Sequence, residues 1–270
     1  VKDGEIEVDG KKFIVRELAS QEMKTSAGAT WDAPTAGNAL SGTWASAFGE
    51  QIDIVVSNND GMGMSMYSNW AKENKVPVFG YDANSDAVAA LGDTDFPYGG
   101  TISQNPAVQA YLTLRLLRNS LDGVDVNTGV GKADDAGNVI AEDDFKYSEE
   151  DRSFYAMNLE VTADNYKDFT DPANTLYETA QAQLDEGDSA KKKVWLSIYN
   201  SADNFLGSTY KPLLEKYAPL LNLDLEVVQG DGQNESSITN KLGNPADFDA
   251  FAINMVKTDN GASYTSILGQ

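Results

Sequence analysis

Short apolar runs alternate with longer amphipathic stretches along most of the chain, and each change of period falls at a break rich in Gly, Asn, Asp or Ser. The runs at 13–18, 52–56, 76–80 and 101–102 read as strands, the third entered through Pro77. Between and after them, 35–48, 62–74, 85–91 and 107–121 carry helical spacing. Two stretches interrupt the rhythm. Residues 122–152, rich in Asp, Glu, Gly and Asn, read as a solvent-exposed excursion with short strands, and 153–161 is strand-like again. Residues 171–190, "DPANTLYETAQAQLDEGDSA", read as a linker holding a short helix. Alternation then resumes: a strand in "KKKVWLSIYN", a helix over 205–221 containing Pro212, a strand at 225–229, a helix at 236–242 and a strand at 248–255. The chain ends part-way along another helical pattern. Apolar strands separated by helices indicate βαβ units and parallel sheets. The simplest organisation is two α/β units joined by a linker.

Composition narrows the class. With 270 residues there is room for one large or two ordinary cores, and 41% hydrophobic with 10% aromatic content marks a globular chain. No run approaches the roughly 18 uninterrupted apolar residues of a membrane span. No signal peptide is visible; the sequence opens at Val1 inside a polar segment, as a mature or trimmed product would. Forty-two acidic against 20 basic residues give a net charge of −22, a field that repels phosphate backbones and argues against a nucleic-acid partner. Cysteine and histidine are both absent, which removes disulfides, thiol nucleophiles, the Ser-His-Asp and Cys-His constellations and the commonest metal ligand. The acidic stretch "ADDAGNVIAEDD" at 133–144 lacks the carboxylate spacing of a calcium-binding EF-hand, so no metal and no cofactor is expected.

In open α/β sheets ligands bind outside the carboxyl ends of the strands. Those ends are chemically alike here. Val56 is followed by Ser57-Asn58-Asn59-Asp60, Gly80 by Tyr81-Asp82, Ile102 by Ser103-Gln104-Asn105, and Ile198 by Tyr199-Asn200 with Asp203 and Phe205 close behind. Trp31-Asp32 closes the stretch after Met23. Carboxylates accept from neighbouring hydroxyls, amides both donate and accept, and aromatic faces cover C–H surfaces, a mixture suited to a neutral polyhydroxylated ligand. A phosphate site would want Arg, Lys or a Gly-rich loop at a helix start. Taken singly, each Asn or Asp after a strand is a turn former or helix cap, and Trp31 or Phe205 alone is packing. The coincidence of several strand ends carries the reading. Within it, Asp60 is expected to cap the following helix.

"IVVSNNDGMGM", "VPVFGYDA" and "GGTISQNP" resemble the second half of the galactose/glucose-binding proteins, the periplasmic or lipid-anchored receptors of sugar ABC importers. "VWLSIYNSADNFLGS", "VVQGDGQNESSITNKL" and "FDAFAINMV" resemble the first half of the same family. The order is reversed, so the resemblance is to a circularly permuted member rejoined through the linker. It implies a two-lobed type I periplasmic-binding-protein fold, an α/β architecture with parallel sheets flanked by helices and a ligand cleft between lobes. Residues 1–104 with 159–172 would form one lobe, 105–158 with 190–270 the other, and 173–189 the permutation linker.

By position the resemblance assigns Asp203 to the sugar carboxylate, Phe205 and Trp31 to the opposing aromatics, Asn59 and Asp82 to the other lobe's amide and carboxylate, and Tyr199 to the pocket edge. Gln104 stands where the family has an asparagine one methylene shorter, and Asp53 where it has a glutamate of a calcium site whose acidic loop has no counterpart here. The family's middle segment is also missing, and a permuted chain is expected to continue into it after Gln270. The implied function is an extracytoplasmic, non-enzymatic and monomeric receptor. It would capture D-glucose or D-galactose and deliver it to a membrane ABC permease, with periplasmic, extracellular or lipid-anchored placement. A sugar-sensing effector domain of a regulator or chemoreceptor system is the alternative. The net charge and the lack of a basic helix-turn-helix disfavour the regulator, and nothing suggests the raised-pKa acid of a glycosidase.

Overall fold

A computed structural model describes residues 3–26, 28, 30–128, 130, 145–150, 152–170, 190–200, 203–232, 234–255 and 257–269. The expected linker at 173–189 and the acidic stretch at 133–144 lie outside these residues. The chain divides into two compact units: Val1–Ile102 with Glu160–Lys167, and Ser103–Leu159 with Asp168–Gln270.

The first unit opens with an antiparallel hairpin of β1 (Asp3–Val8) and β2 (Lys11–Arg16). The strand expected at 13–18 captured only the second half of it. The signal for the rest was present: Glu5-Ile6-Glu7-Val8 alternates, and Asp9-Gly10 supplies the two positive φ angles, 51° and 73°, that a tight hairpin turn demands. A continuous helical run follows, α1 (Ala33–Asn38), a π-helical turn Ala39–Trp44 and α2 (Ala45–Phe48). Its start is set by Asp32, whose Oδ2 accepts from the Thr35 amide at 2.9 Å. Next come β3 (Val55–Val56), α3 (Asp60–Met66) prolonged by a π-helical Tyr67–Ala71, β4 (Val78–Phe79), α4 (Ser85–Leu91) and β5 (Thr101–Ser103). β3 and β4 are parallel, and Phe79 bridges in parallel to Gly100 beside β5. Both β3 and β4 are shorter than the apolar runs containing them. The Ile52 amide closes a turn on the Gly49 carbonyl at 3.1 Å, and Pro77 has no N–H to offer the ladder.

An apolar concavity of about 670 Å³ opens in this unit between the hairpin, the Ala33–Phe48 run and β3, walled by Phe13, Met23, Leu40, Trp44, Met62 and Met66 among others. On its rim Ile14 and Val56 are 77% and 73% exposed.

The second unit begins with α5 (Pro106–Asp122) and the hairpin β6 (Phe145–Ser148) and β7 (Ser153–Ala156). The chain then returns through β8 (Leu159–Val161), which pairs with β5. After residue 190 the second unit's parallel sheet is laid down: β9 (Lys192–Ile198), α6 (Lys211–Tyr217) after a π-helical Phe205–Tyr210, β10 (Leu223–Gln229), α7 (Ser236–Thr239), β11 (Ala250–Ile253) and α8 (Gly261–Leu268). Its strand order is β10–β9–β11. Central β9 is buried on both faces from Val194 to Ile198, as an apolar run broken only by Ser197 anticipates. Val194, Leu196 and Ile198 share a core with Val108, Tyr111 and Leu114 of α5 and with Leu213, Leu214 and Tyr217 of α6. On the other face Trp195 meets Ile238, Leu242 and Tyr264. Each such buried side chain contributes about 1.5–3 kcal/mol. Buried Arg118 fastens the base of the unit, with Nε donating to Asp122 at 2.7 Å and Nη1 to the carbonyls of Ala190, Leu221 and Asn222 at 3.0–3.4 Å.

Candidate functional site

The polar side chains gather at strand carboxyl ends in each unit, and the local backbone explains how they are held. In the first unit, buried Ser57 leaves β3 and donates to the Asn59 carbonyl at 2.9 Å. Asn59 is extended, φ −150° and ψ 161°, and its Oδ1 accepts from the Met62 amide at 2.9 Å. Asn59 is therefore the helix cap, and the expectation that Asp60 would cap is corrected. Cap and first helical residue stand one position apart, and both are of a capping type.

Asp60 is fully buried. Its amide donates to the Tyr81 carbonyl at 2.7 Å; its Oδ2 accepts from the Asn84 amide and the Thr101 hydroxyl, each at 2.9 Å; the Tyr98 hydroxyl stands 3.4 Å from Oδ1. Burial pushes this carboxyl from 3.8 to about 7; the Asn84 amide and Thr101 hydroxyl oppose the rise, while Asp82 and Asp86 add to it. Tyr98 is pushed upward too, by burial and then by the Asp60 charge.

The turn over β4 carries the predicted Asp82. Asp82 and Ala83 both have positive φ, 108° and 51°, conformations that cost a non-glycine residue energy and concentrate at ligand sites. Three successive amides of this turn are engaged: Asp82 donates to the Ile102 carbonyl at 2.8 Å, Ala83 to the Thr101 hydroxyl at 3.2 Å, and Asn84 to Asp60. Trp31, at φ 64°, is half-exposed just before Asp32. At the end of β5, Ser103 accepts from the Asn105 amide at 3.1 Å, Gln104 receives the Gln109 side chain on its carbonyl at 2.7 Å, and Asn105 is left-handed at φ 52°. Left-handed non-glycine residues thus sit at or beside the strand ends that carry Asp82 and Gln104, and at Trp31.

In the second unit the ends of β9 and β11 are tied together. The Ser197 hydroxyl accepts from the Asn254 amide at 3.2 Å, and the Asn254 side chain accepts from the Tyr199 amide at 3.1 Å. This tie fixes the backbone that presents Tyr199. Asp203 Oδ1 accepts from the Leu206 amide at 2.9 Å and so starts the following helix. Phe205 is buried, its ring stacked at 10° on Tyr210 with centroids 6.2 Å apart. Ser197 and Asn254 were not singled out from the sequence. Ser197 lies inside an apolar run, and Asn254 follows a strand just as the chosen residues do.

Asp53 is exposed, and among the described residues no three His, Cys, Asp or Glu side chains are grouped closely enough to hold a metal ion. Among the same residues no helix is long and apolar enough to cross a membrane. The arrangement offers carboxylates, amides and aromatic rings at strand ends.

Comparison with known proteins gives the same direction. Two models of the periplasmic binding protein domain match the chain, one over residues 6–125 and one over residues 191–261. A D-galactose/methyl-galactoside binding periplasmic protein of Haemophilus influenzae is 25% identical over 123 residues, covering 44% of this chain and 37% of that protein. A xylitol-binding protein of Mycolicibacterium smegmatis is 34% identical over 102 residues, covering 37% of this chain and 28% of that protein. The chain spans about a third of the length of these curated relatives. With parallel sheets flanked by helices in both units and the two domain matches spread across both, the chain belongs to the periplasmic binding proteins and has their two-lobed α/β type I fold.

Proposed function

We propose that this chain is an extracytoplasmic, non-enzymatic receptor that captures a hexose, glucose or galactose, and hands it to a membrane ABC importer. The observation that carries the reading is the recurrence of Asp, Asn and aromatic residues at strand carboxyl ends, where hydrogen bonds hold the backbone and where Asp82, Ala83 and Asn105 have positive φ. The residues proposed to meet sugar are Trp31, Asn59 and Asp82 of the first unit and Gln104, Tyr199, Asp203 and Phe205 of the second. Asn59 Oδ1 caps the helix and Asp203 Oδ1 meets the Leu206 amide, so Asn59 Nδ2 and Asp203 Oδ2 are the atoms proposed to reach the sugar. Phe205 is seated against Tyr210, so only its edge or remaining face would meet ligand. The galactose-binding relative supports a cyclic hexose; the xylitol-binding one favours a second reading, an acyclic polyol met by the same carboxylates and amides.

Circular permutation of the family order belongs to the same proposal. It is supported by α5, which precedes the 171–190 stretch yet shares one core with β9 and α6, which follow it. Calorimetric titration with D-glucose, D-galactose, xylitol, ribose and a disaccharide tests the function. Hydrogen bonds to a charged group contribute about 1.5–3 kcal/mol, so Asp82→Ala or Asp203→Ala should weaken hexose binding roughly ten- to hundredfold. Absence of heat with every sugar, from protein shown to be folded, would overturn the receptor reading.

A further inference from the structure

Asp60 makes more bonds across the first unit's sheet than its place at the start of a helix requires. It touches three neighbouring segments: the Tyr81 carbonyl through its amide, Asn84 and Thr101 through Oδ2, and Tyr98 beside Oδ1. Thr101 relays the hold, because the hydroxyl that donates to Asp60 also accepts from the Ala83 amide. Asp60 therefore holds the turn Tyr81–Asn84 at both ends, its backbone amide at Tyr81 and its carboxylate at Asn84, and the two left-handed residues inside it are Asp82 and Ala83. Room for the group has been made in the sequence. A Cβ on Gly80 would lie 2.1 Å from Asp60 Oδ1, and one on Gly63 would lie 2.1 Å from the Tyr98 hydroxyl.

A purely structural carboxylate would be hard to justify here. Burying a carboxyl group is unfavourable, and among the described residues the titratable groups recorded around Asp60 are Asp82, Asp86 and Tyr98, with no cation among them. An apolar residue of similar size would fill the space without that penalty, but it would leave the Asn84 amide and the Thr101 hydroxyl without an acceptor and the Asp82–Ala83 backbone free to relax.

We infer that Asp60 is a positioning residue for ligand: its buried carboxylate, with Thr101 as relay, holds the strained Tyr81–Asn84 turn so that Asp82 is presented in its binding conformation. The inference rests on the hexose-receptor reading for the identity of the ligand, but not for the bracing of the turn.

The test compares Asp60→Ala, Asp60→Asn and Thr101→Val with the parent in two readouts, at a temperature where circular dichroism shows each to be folded. The first is amide hydrogen exchange at Asp82, Ala83 and Asn84, which needs no ligand. The second is the dissociation constant for D-glucose and D-galactose. Releasing a strained turn of this kind should weaken binding by folded Asp60→Ala roughly tenfold or more, with faster exchange at Asn84. Asp60→Asn keeps an acceptor for Asn84 and Thr101 and should recover most of both. Thr101→Val should speed exchange at Ala83 and weaken binding in parallel. A stabilising role alone would lower the unfolding midpoint and leave the affinity of folded protein unchanged. Exchange at Asn84 unaltered in Asp60→Ala, or affinity within twofold of the parent, would overturn the inference. Should Asp60→Ala not fold, the Asn and Val variants decide it by the same two readouts. A parent that binds neither hexose refutes the hexose reading, while exchange at Asn84 still decides whether Asp60 braces the turn.

Discussion

The buried carboxyl of Asp60 makes the stability of the first unit depend on pH in an unusual direction for an acid. In the folded state it titrates near 7 against an ordinary 3.8, with burial as the main cause. Below pH 3.8 the group is protonated in both states and has no effect on the balance. Between there and about 7 the unfolded chain releases its proton and the folded one does not, so stability falls as pH rises, and levels off above. At about 1.4 kcal/mol per tenfold change, the whole interval is worth roughly 4 kcal/mol, and the part between pH 5 and pH 8 roughly 2.5 kcal/mol. The other carboxylates of so acidic a chain also titrate, so the clean quantity is a difference between two proteins. Asp60→Asn keeps the shape and an acceptor while removing the titration. Urea unfolding of parent and variant at pH 5, 6, 7 and 8 should give a variant that gains on the parent by roughly 2.5 kcal/mol across the series. Two parallel stability curves would refute the reasoning, because they would mean that the carboxyl is solvated enough to ionise normally.

Other perturbations test the scaffold. Trp195→Ala, in the fully buried face of β9, should destabilise the second unit by about 3–5 kcal/mol in denaturant unfolding. Arg118→Met removes the donor of three carbonyls and leaves Asp122 without its partner, and should lower stability by about 3 kcal/mol; Arg118→Lys, lacking the planar fork, should recover little of it. Asn59→Ala removes the cap of α3 at about 1 kcal/mol, read as a shift in thermal midpoint, and Asn59→Asp should restore it. Gly80→Ala should destabilise the first unit and speed exchange at Asn84, since its Cβ would overlap the Asp60 carboxylate.

The elements that could be read from sequence are those whose determinants are local. α5 starts at Pro106, which suits a first helical turn, and runs to Asp122 with its apolar face intact, within a residue of the expected 107–121 at each end. Ser85–Leu91 was expected at its observed ends. β9 announced itself by the apolar run Val194–Ile198, broken only by Ser197, which suits burial on both faces. The opening hairpin was half-missed although its Asp9-Gly10 turn was in plain view. The π-helical turns at Ala39–Trp44, Tyr67–Ala71 and Phe205–Tyr210 left no mark on the hydrophobic period.

At the candidate site, residue types at strand ends were legible, but what each one bonds was not. Asp60 differs from a helix cap only by partners at Asn84, Tyr98 and Thr101, separated from it by 24, 38 and 41 positions. No local pattern carries that information. The same holds for the Ser197–Asn254 tie, which joins residues 57 positions apart.

The apolar concavity of the first unit, with Ile14 and Val56 bared on its rim, has a consequence for how this protein behaves in bulk solution. Adhesive surface of that kind draws copies of a chain together, while a charge of −22 drives them apart. The two tendencies respond differently to conditions. At about 0.1 M salt the repulsion already fades beyond roughly 10 Å, whereas apolar attraction is strengthened by sulfate. Near the isoelectric point of about 4.2 the repulsion vanishes altogether. Colloidal stability should therefore be greatest in dilute buffer near neutrality, and light scattering should rise first in ammonium sulfate or on acidification. Ile14→Glu or Val56→Glu should delay that onset.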